Sequence, residues 1–239
     1  MQDYLGTIQA IDENVGRVLD YLEANNLMDN TLIVYTSDQG FYLGEHGWFD
    51  KRFAYNESFK TPLLMAWKDH IRPGSVSDEM VQNLDFAQTF LDLAGISAPE
   101  DMQGESLVPV LTESGNWNRE SVYYHYYEYP AEHMVNRHYA LVSKDYKLIH
   151  YYFALDEWEL YDRKKDPQEL NNVYENPSYK KVREKLHIEL KELRKKYKDN
   201  DTLSKEYIDR FLEDAAQGKV FGLTTTRAKE IQEKRKSGP

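Results

Sequence analysis

The chain has 239 residues, 41% hydrophobic and 13% aromatic, which is enough apolar surface for one large or two small folded units. Its formal net charge of -11 argues against a nucleic-acid partner, because a phosphate backbone demands a basic surface. The absence of cysteine excludes disulfides, a zinc-thiolate site and a cysteine nucleophile within this chain, and no apolar stretch reaches the ~20 residues of a membrane span.

Leu5, Ile8, Ile11, Val15, Val18, Leu19 and Leu22 recur at intervals of three and four. This spacing predicts an amphipathic helix from Tyr4 to Ala24, not the pattern of a signal peptide. Asn25, Asn26 and Asp29-Asn30 stop it. The uncharged run Leu32 to Tyr35 then reads as a buried strand ending on Ser37-Asp38-Gln39-Gly40. A helix feeding a buried strand is half of a βαβ unit whose first strand is absent, so the sequence reads as starting in mid-fold.

The tip of that strand is where the chemistry gathers. In open α/β sheets the ligand crevice lies beyond the carboxyl ends of the strands. There Asp38 and Gln39 offer one charged and one neutral oxygen, the donors a hard cation such as calcium or magnesium prefers. Lys51 returns a positive charge to the same mouth, and a cation with an ammonium group suits a multi-oxygen anion. By itself Asp38-Gln39-Gly40 is more often a plain turn, and His46 between Gly44 and Gly47 a loop residue.

Further along, Thr61 to Trp67 predicts a short strand that Pro62 confines to a strand start or sheet edge. Arg72-Pro73-Gly74 is a turn, Glu79 to Leu84 reads as a further strand, and Asp85 is placed to cap a helix from Phe86 to Ala94 that Gly95 ends. Met102 to Leu111 reads as a loop with a single turn of helix, and a unit boundary falls near Thr112 to Arg119. Four short aromatic strands follow, Ser121–Glu128, His138–Ser143, Tyr146–Phe153 and Glu157–Tyr161, with Lys144-Asp145 as a hairpin connector. Asn176 and Pro177 open a helix whose Val182, Leu186, Leu190, Leu193 and Tyr197 share one face, so a helix crosses an antiparallel sheet. Residues 201–239 are mixed-charge and read as a solvated tail or a strap over the larger unit. His125, His138 and His150 alternate over both sheet faces, which argues against one metal cluster, while His133 sits apart in a loop.

The order TSDQG, LGEHG, Asp50-Lys51 and YNESFKTPLLM resembles the second metal-binding block of the sulfatases, members of the alkaline-phosphatase-like superfamily. YLGTIQAIDENVGRVLDYLEANNLMDNTLIVYTSDQG resembles the helix and strand before that block, and ELYDRKKDPQELNN resembles a signature of the C-terminal subdomain. YYHYYEYPAEHMVNRHYALVSKDYKLIHYY is similar to the matching stretch of bacterial carbohydrate sulfatases like the N-acetylglucosamine-6-sulfatases. The resemblance covers about residues 4 to 200. It implies an α/β fold, with residues 1–117 the C-terminal part of an alkaline-phosphatase-like sandwich and 118–200 a smaller α+β subdomain with a four-stranded antiparallel sheet and a long helix.

The resemblance also implies hydrolysis of sulfate esters on sulfated carbohydrate, of the N-acetylglucosamine-6-sulfate type in glycosaminoglycans. Calcium, or magnesium, would take Asp38 and Gln39 as ligands, and Lys51 would contact the sulfate. Gln39 stands where the family often has Asn or His. His46 would lie at the rim in a substrate-facing or orienting role, with His133 and Arg137 touching the sugar. The family's formylglycine arises within Cys-x-Pro-Ser-Arg, and neither that motif, its serine form nor the paired aspartates of the metal site occur here. The expectation is therefore a chain without turnover alone, its nucleophile in a missing N-terminal half that would be its partner. The complete protein is expected in the periplasm, outside the cell or in a lysosome. Two other readings are a non-catalytic sugar-binding fragment, whose binding would survive loss of Lys51, and a related phosphatase or phosphonate hydrolase.

Overall fold

The computed structural model describes residues 2–131 and 133–236. The three-and-four spacing yields α1 (Gln2–Ala24), none of whose residues is buried. Strand β1 (Ile33–Thr36) leads to a small ladder of β2 (Tyr42–Leu43) and β3 (Phe49–Asp50), a turn of helix α2 (Asn56–Phe59), and β4 (Leu63–Ala66). β1 pairs antiparallel with β4, Ile33 opposite Ala66 and Thr36 opposite Leu63. Among the described residues β1 has that neighbour alone, so the run expected to be buried is only half-buried and Tyr35 stays exposed.

The segment Glu79 to Leu84 forms no strand, contrary to its pattern. Some of its backbone groups go to side chains: Met80 O accepts from Trp117 Nε1 at 3.0 Å, and Gln82 N donates to Asp85 Oδ2 at 2.8 Å. Asp85 does not cap from outside either; it is the first residue of α3 (Asp85–Leu93). The fully buried Asp85 carboxylate also accepts from Glu105 N at 2.9 Å and from Arg119 Nη2 at 2.8 Å, tying three distant segments together. Gly95, at φ +69°, ends α3 with its N–H on Asp92 O and that of Ile96 on Leu91 O, the paired bonds of a Schellman stop. A short α4 (Val108–Leu111) follows.

The second unit is an antiparallel sheet in the order β5 (Ser121–Tyr126), β6 (His138–Ser143), β7 (Tyr146–Tyr151), β8 (Glu157–Asp162). Alternation splits its side chains between two faces. Tyr139, Leu141, Leu148 and Leu160 pack on Leu186 and Leu190 of α5 (Lys180–Lys196). Ala140, Ile149, Tyr151 and Tyr161 pack on Tyr42, Ala54 and Tyr55, which belong to the loop between β1 and β4. The sheet is therefore a partition with α5 on one side and that loop on the other. On the loop side, Lys147 Nζ meets Glu169 at 2.7 Å with both side chains fully buried, and burial pushes the Lys147 ammonium down to about 8.

Residues 201–236 do not run as a tail or a strap over the first unit. They fold into α6 (Asp201–Ala216), opened by Asn200 accepting from Leu203 N, and α7 (Thr225–Lys236). Ile208, Leu212, Ala215, Leu223 and Ala228 form a buried core of their own against Phe153. The charge count hid an apolar stripe diluted over two helices. No helix among the described residues is long and apolar enough to cross a membrane.

Asp85→Asn keeps the shape of the hub but leaves the buried Arg119 with only the half-exposed Glu105 carboxylate, 3.3 Å away. Urea denaturation should show a loss of about 3–5 kcal/mol, the usual cost of breaking a buried ion pair. His138 is fully buried, and burial pushes its imidazole down to about 4, so it folds neutral. Between pH ~6.5 and ~4 the unfolded chain binds a proton at His138 that the folded one refuses, so stability falls as pH falls through that window. His138→Gln should remove about 3 kcal/mol of that acid slope in denaturation curves at pH 6.5 and 4.

Candidate functional site

The site is built on the turn that leaves β1. Ser37 Oγ bonds Gln39 O at 3.0 Å, and Asp38 Oδ1 accepts from Gln39 N at 2.9 Å. Asp38 Oδ2 is left facing Lys51 Nζ at 4.0 Å. The Gln39 N–H, and then the Lys51 charge, hold the exposed Asp38 carboxyl below the usual carboxylate range. Gly40 is required here, because a Cβ would stand 1.9 Å from Glu57 O and its N–H bonds Ser58 O at 2.9 Å.

Lys51 sits between two non-glycine residues in the left-handed region, Asp50 at φ +87° and Arg52 at +96°. Such conformations cost about 1–3 kcal/mol each and persist where neighbours over-determine them. Arg52 N donates to the buried Ser58 Oγ at 3.0 Å, and Arg52 O accepts from Tyr124 OH at 3.1 Å. Phe53 O accepts from Tyr42 OH at 3.0 Å. The second unit's sheet thus helps to hold the bend that aims Lys51 at Asp38.

His46 takes a different place. At φ +55° between Gly44 and Gly47, its ring turns inward, stacks on Tyr55 at 4.3 Å and meets Glu57 Oε2 through Nε2 at 3.2 Å. His133 reaches the loop from the second unit: Arg52 Nη2, which can only donate, lies 2.6 Å from His133 Nε2. Nδ1 therefore carries the ring proton and donates to Glu128 Oε1 at 2.6 Å. Burial raises the Glu128 carboxyl, but hydrogen bonds from Tyr126 and His133 and the Arg52 charge outweigh it and hold the group below its ordinary range. Arg137 does not reach the surface as a substrate contact would. It is 2% exposed, and its Nε donates to Tyr129 O beneath the loop that carries His133. A backbone carbonyl inside the fold captured it.

Arg52 and Glu128 were not singled out from sequence. The run Asp50-Lys51-Arg52 was the available signal, since Arg52 bonds Asp50 across Lys51. Lys51 faces Asp38, while its neighbour Arg52 does the bridging.

Asp38 and Gln39 are adjacent oxygen-bearing residues at the tip of β1, and no group of three or more His, Asp or Glu side chains suited to a metal occurs among the described residues. Calcium takes about six to eight oxygens, so these two fit a share of such a site and do not complete one. What the arrangement can do unaided is attract an oxyanion to the Lys51 ammonium at an exposed strand tip.

Comparison with known proteins follows the same outline. The family model described as N-sulphoglucosamine sulphohydrolase, C-terminal, matches residues 44–196. The N-acetylglucosamine-6-O-sulfatase of Bacteroides thetaiotaomicron is 54% identical over 212 residues, which are 87% of this chain and 38% of that relative. A solved structure of a protein in complex with its substrate D-glucosamine-2-N,6-O-disulfate is 55% identical with a TM-score of 0.80, covering 83% of this chain and 41% of that one. A putative sulfatase from Bacteroides fragilis, 28% identical, gives a TM-score of 0.73 over 84% of this chain and 42% of its own. The chain spans about two fifths of the length of these relatives. With the family model matching residues 44–196, more than half of its length, the chain belongs to the sulfatase family and carries its N-sulphoglucosamine sulphohydrolase C-terminal region.

Proposed function

We propose that this chain forms the C-terminal portion of a sulfuric ester hydrolase acting on sulfated glucosamine, of the N-acetylglucosamine-6-sulfate type in glycosaminoglycans. The observation that carries the reading is the approach of Asp38 and Lys51 to 4.0 Å at the tip of β1, on a chain 54% identical to an N-acetylglucosamine-6-O-sulfatase. In this reading Lys51 holds a sulfate oxygen and offsets the negative charge that grows as the sulfur–oxygen bond breaks. Asp38 and Gln39 would supply two oxygen ligands to calcium, or to magnesium in its place. The nucleophile, a formylglycine in this reading, would come from outside this chain.

The other residues fall into supporting roles. His133, tied to Arg52 and Glu128, faces the sugar, and Arg137 positions the loop that presents it. His46 braces Glu57 and Tyr55 behind the metal loop. The exposed apolar residues of α1, among them Leu5, Ile8 and Val18, cover themselves against the remaining part of the sulfatase domain. The full-length enzyme works in the periplasm, outside the cell or in a lysosome.

Joined to the N-terminal portion of the Bacteroides thetaiotaomicron relative and expressed with formylglycine formation, the chain should release inorganic sulfate from glucosamine-6-sulfate. Lys51→Gln in that hybrid should lower kcat/KM by roughly 100- to 1,000-fold, the scale of losing one preorganised oxyanion partner. Sulfate release by the 239-residue chain alone, or faster release of phosphate than sulfate by the hybrid, overturns the assignment. Chelation of calcium should silence the hybrid, and Asp38→Asn should raise the calcium concentration that restores it by roughly tenfold or more, as expected for replacing a charged ligand by a neutral one.

A further inference from the structure

A second concave surface lies across the sheet from Lys51. It is a groove of about 590 Å³ between the C-terminal half of α5, the turn into α6, and the side chains Tyr139 and Trp158 of the sheet. Because α5 and the metal loop pack on opposite faces of that sheet, the groove is separate from the Asp38–Lys51 pair.

Its charge is unusual for this molecule. Residues 180–198 hold nine lysines and arginines against three glutamates, a balance of +6 in a chain whose total is -11. The groove's own carboxylates are already matched. Asp199 is buried and accepts from Tyr127 OH at 3.1 Å while bonding His125 Nδ1 at 2.7 Å; Asp201 Oδ1 accepts from Arg194 Nη2 at 2.7 Å. Arg194 in turn lies 4.2 Å over the Tyr139 ring. Lys191, Lys195 and Lys198 line the groove, are exposed, and have no carboxylate within ion-pair reach among the described residues. Arg194, Lys195 and Lys196 occupy the last turn of α5, where cations offset a helix dipole of about half a charge. That accounts for part of the excess, and Lys191 and Lys198 lie outside that turn.

We propose that this groove, rimmed by Lys191, Lys195 and Lys198 and floored by Leu190 and the edge of Trp158, anchors a sulfated polysaccharide chain. Three unpaired ammonium groups around an apolar floor match a ligand that repeats sulfates along a backbone of sugar rings with apolar faces. The choice of a sulfated sugar over another polyanion rests on the function proposed above. The groove itself rests on its lysines.

The test titrates the 239-residue chain with a fluorescently labelled octasaccharide of N- and 6-O-sulfated glucosamine, with its desulfated form alongside. The sulfated form should bind and the desulfated form should not. The triple variant Lys191→Gln, Lys195→Gln, Lys198→Gln should bind roughly tenfold more weakly, the scale of three exposed ion pairs, with an unchanged thermal midpoint. Lys180→Gln, Lys181→Gln, Lys185→Gln removes the same charge from the other end of α5 and should change binding little. Equal losses in both triples, no loss in the first, or no binding of the sulfated form overturns the proposal. So does an equally tight complex with a single-stranded DNA of matched charge. Failure here leaves sulfate release by the hybrid enzyme untouched, since that measurement turns on Lys51.

Discussion

Lys51 faces Asp38 because hydroxyl groups capture the backbone that follows it. Its neighbours Asp50 and Arg52 both adopt left-handed conformations that no β-carbon favours, and a free loop would relax them. Relaxation is blocked by Tyr124 on the Arg52 carbonyl, Tyr42 on the Phe53 carbonyl and Ser58 on the Arg52 amide. Tyr124 belongs to β5, so the bend is held partly by the second unit. The α+β sheet is thereby a structural member of the candidate site as well as a neighbour of it.

Buried charges join the same parts. Glu169, beyond β8, accepts from the Asn56 backbone at 2.9 Å while pairing with Lys147 on the sheet. One carboxylate thus fastens α2, just after the Lys51 bend, to β7. Asp85 does the corresponding work at the boundary between units through Arg119. Removing one member of such a pair strands the other in a low-dielectric interior, which makes these contacts costly to break and specific in register. The price is paid where α+β and α/β parts meet.

The sheet's two faces separate two kinds of surface. One holds the loop with Asp38 and Lys51; the other holds the basic C-terminal half of α5 and the aromatic side chains beside it. On a chain of net charge -11, local positive charge survives only where acids are paired elsewhere or absent. Along α5 the nine lysines and arginines of residues 180–198 simply outnumber its three glutamates.

Much of this was legible in the residues themselves. Periodicity located α1, the four strands of the sheet and α5, because each of these buries or presents one stripe, and local spacing records that directly. The approach of Lys51 to Asp38 was foreseeable because the loop between them is short in sequence, and the stop at Gly95 because helix stops are local. What needed the tertiary structure were the partners far apart in the chain. Arg137 reads as a loop residue that touches the sugar yet is drawn inside by the Tyr129 carbonyl, and Arg52, which was not singled out from sequence, joins the loop to His133. Glu79 to Leu84 has the pattern of a strand but finds its hydrogen bonds in Asp85 and Trp117, and residues 201–236 look like a solvated tail until α6 and α7 are laid side by side. A sequence determines which groups need a partner; only the folded chain decides which partner comes within hydrogen-bond reach, because that choice depends on segments brought together across long stretches of chain.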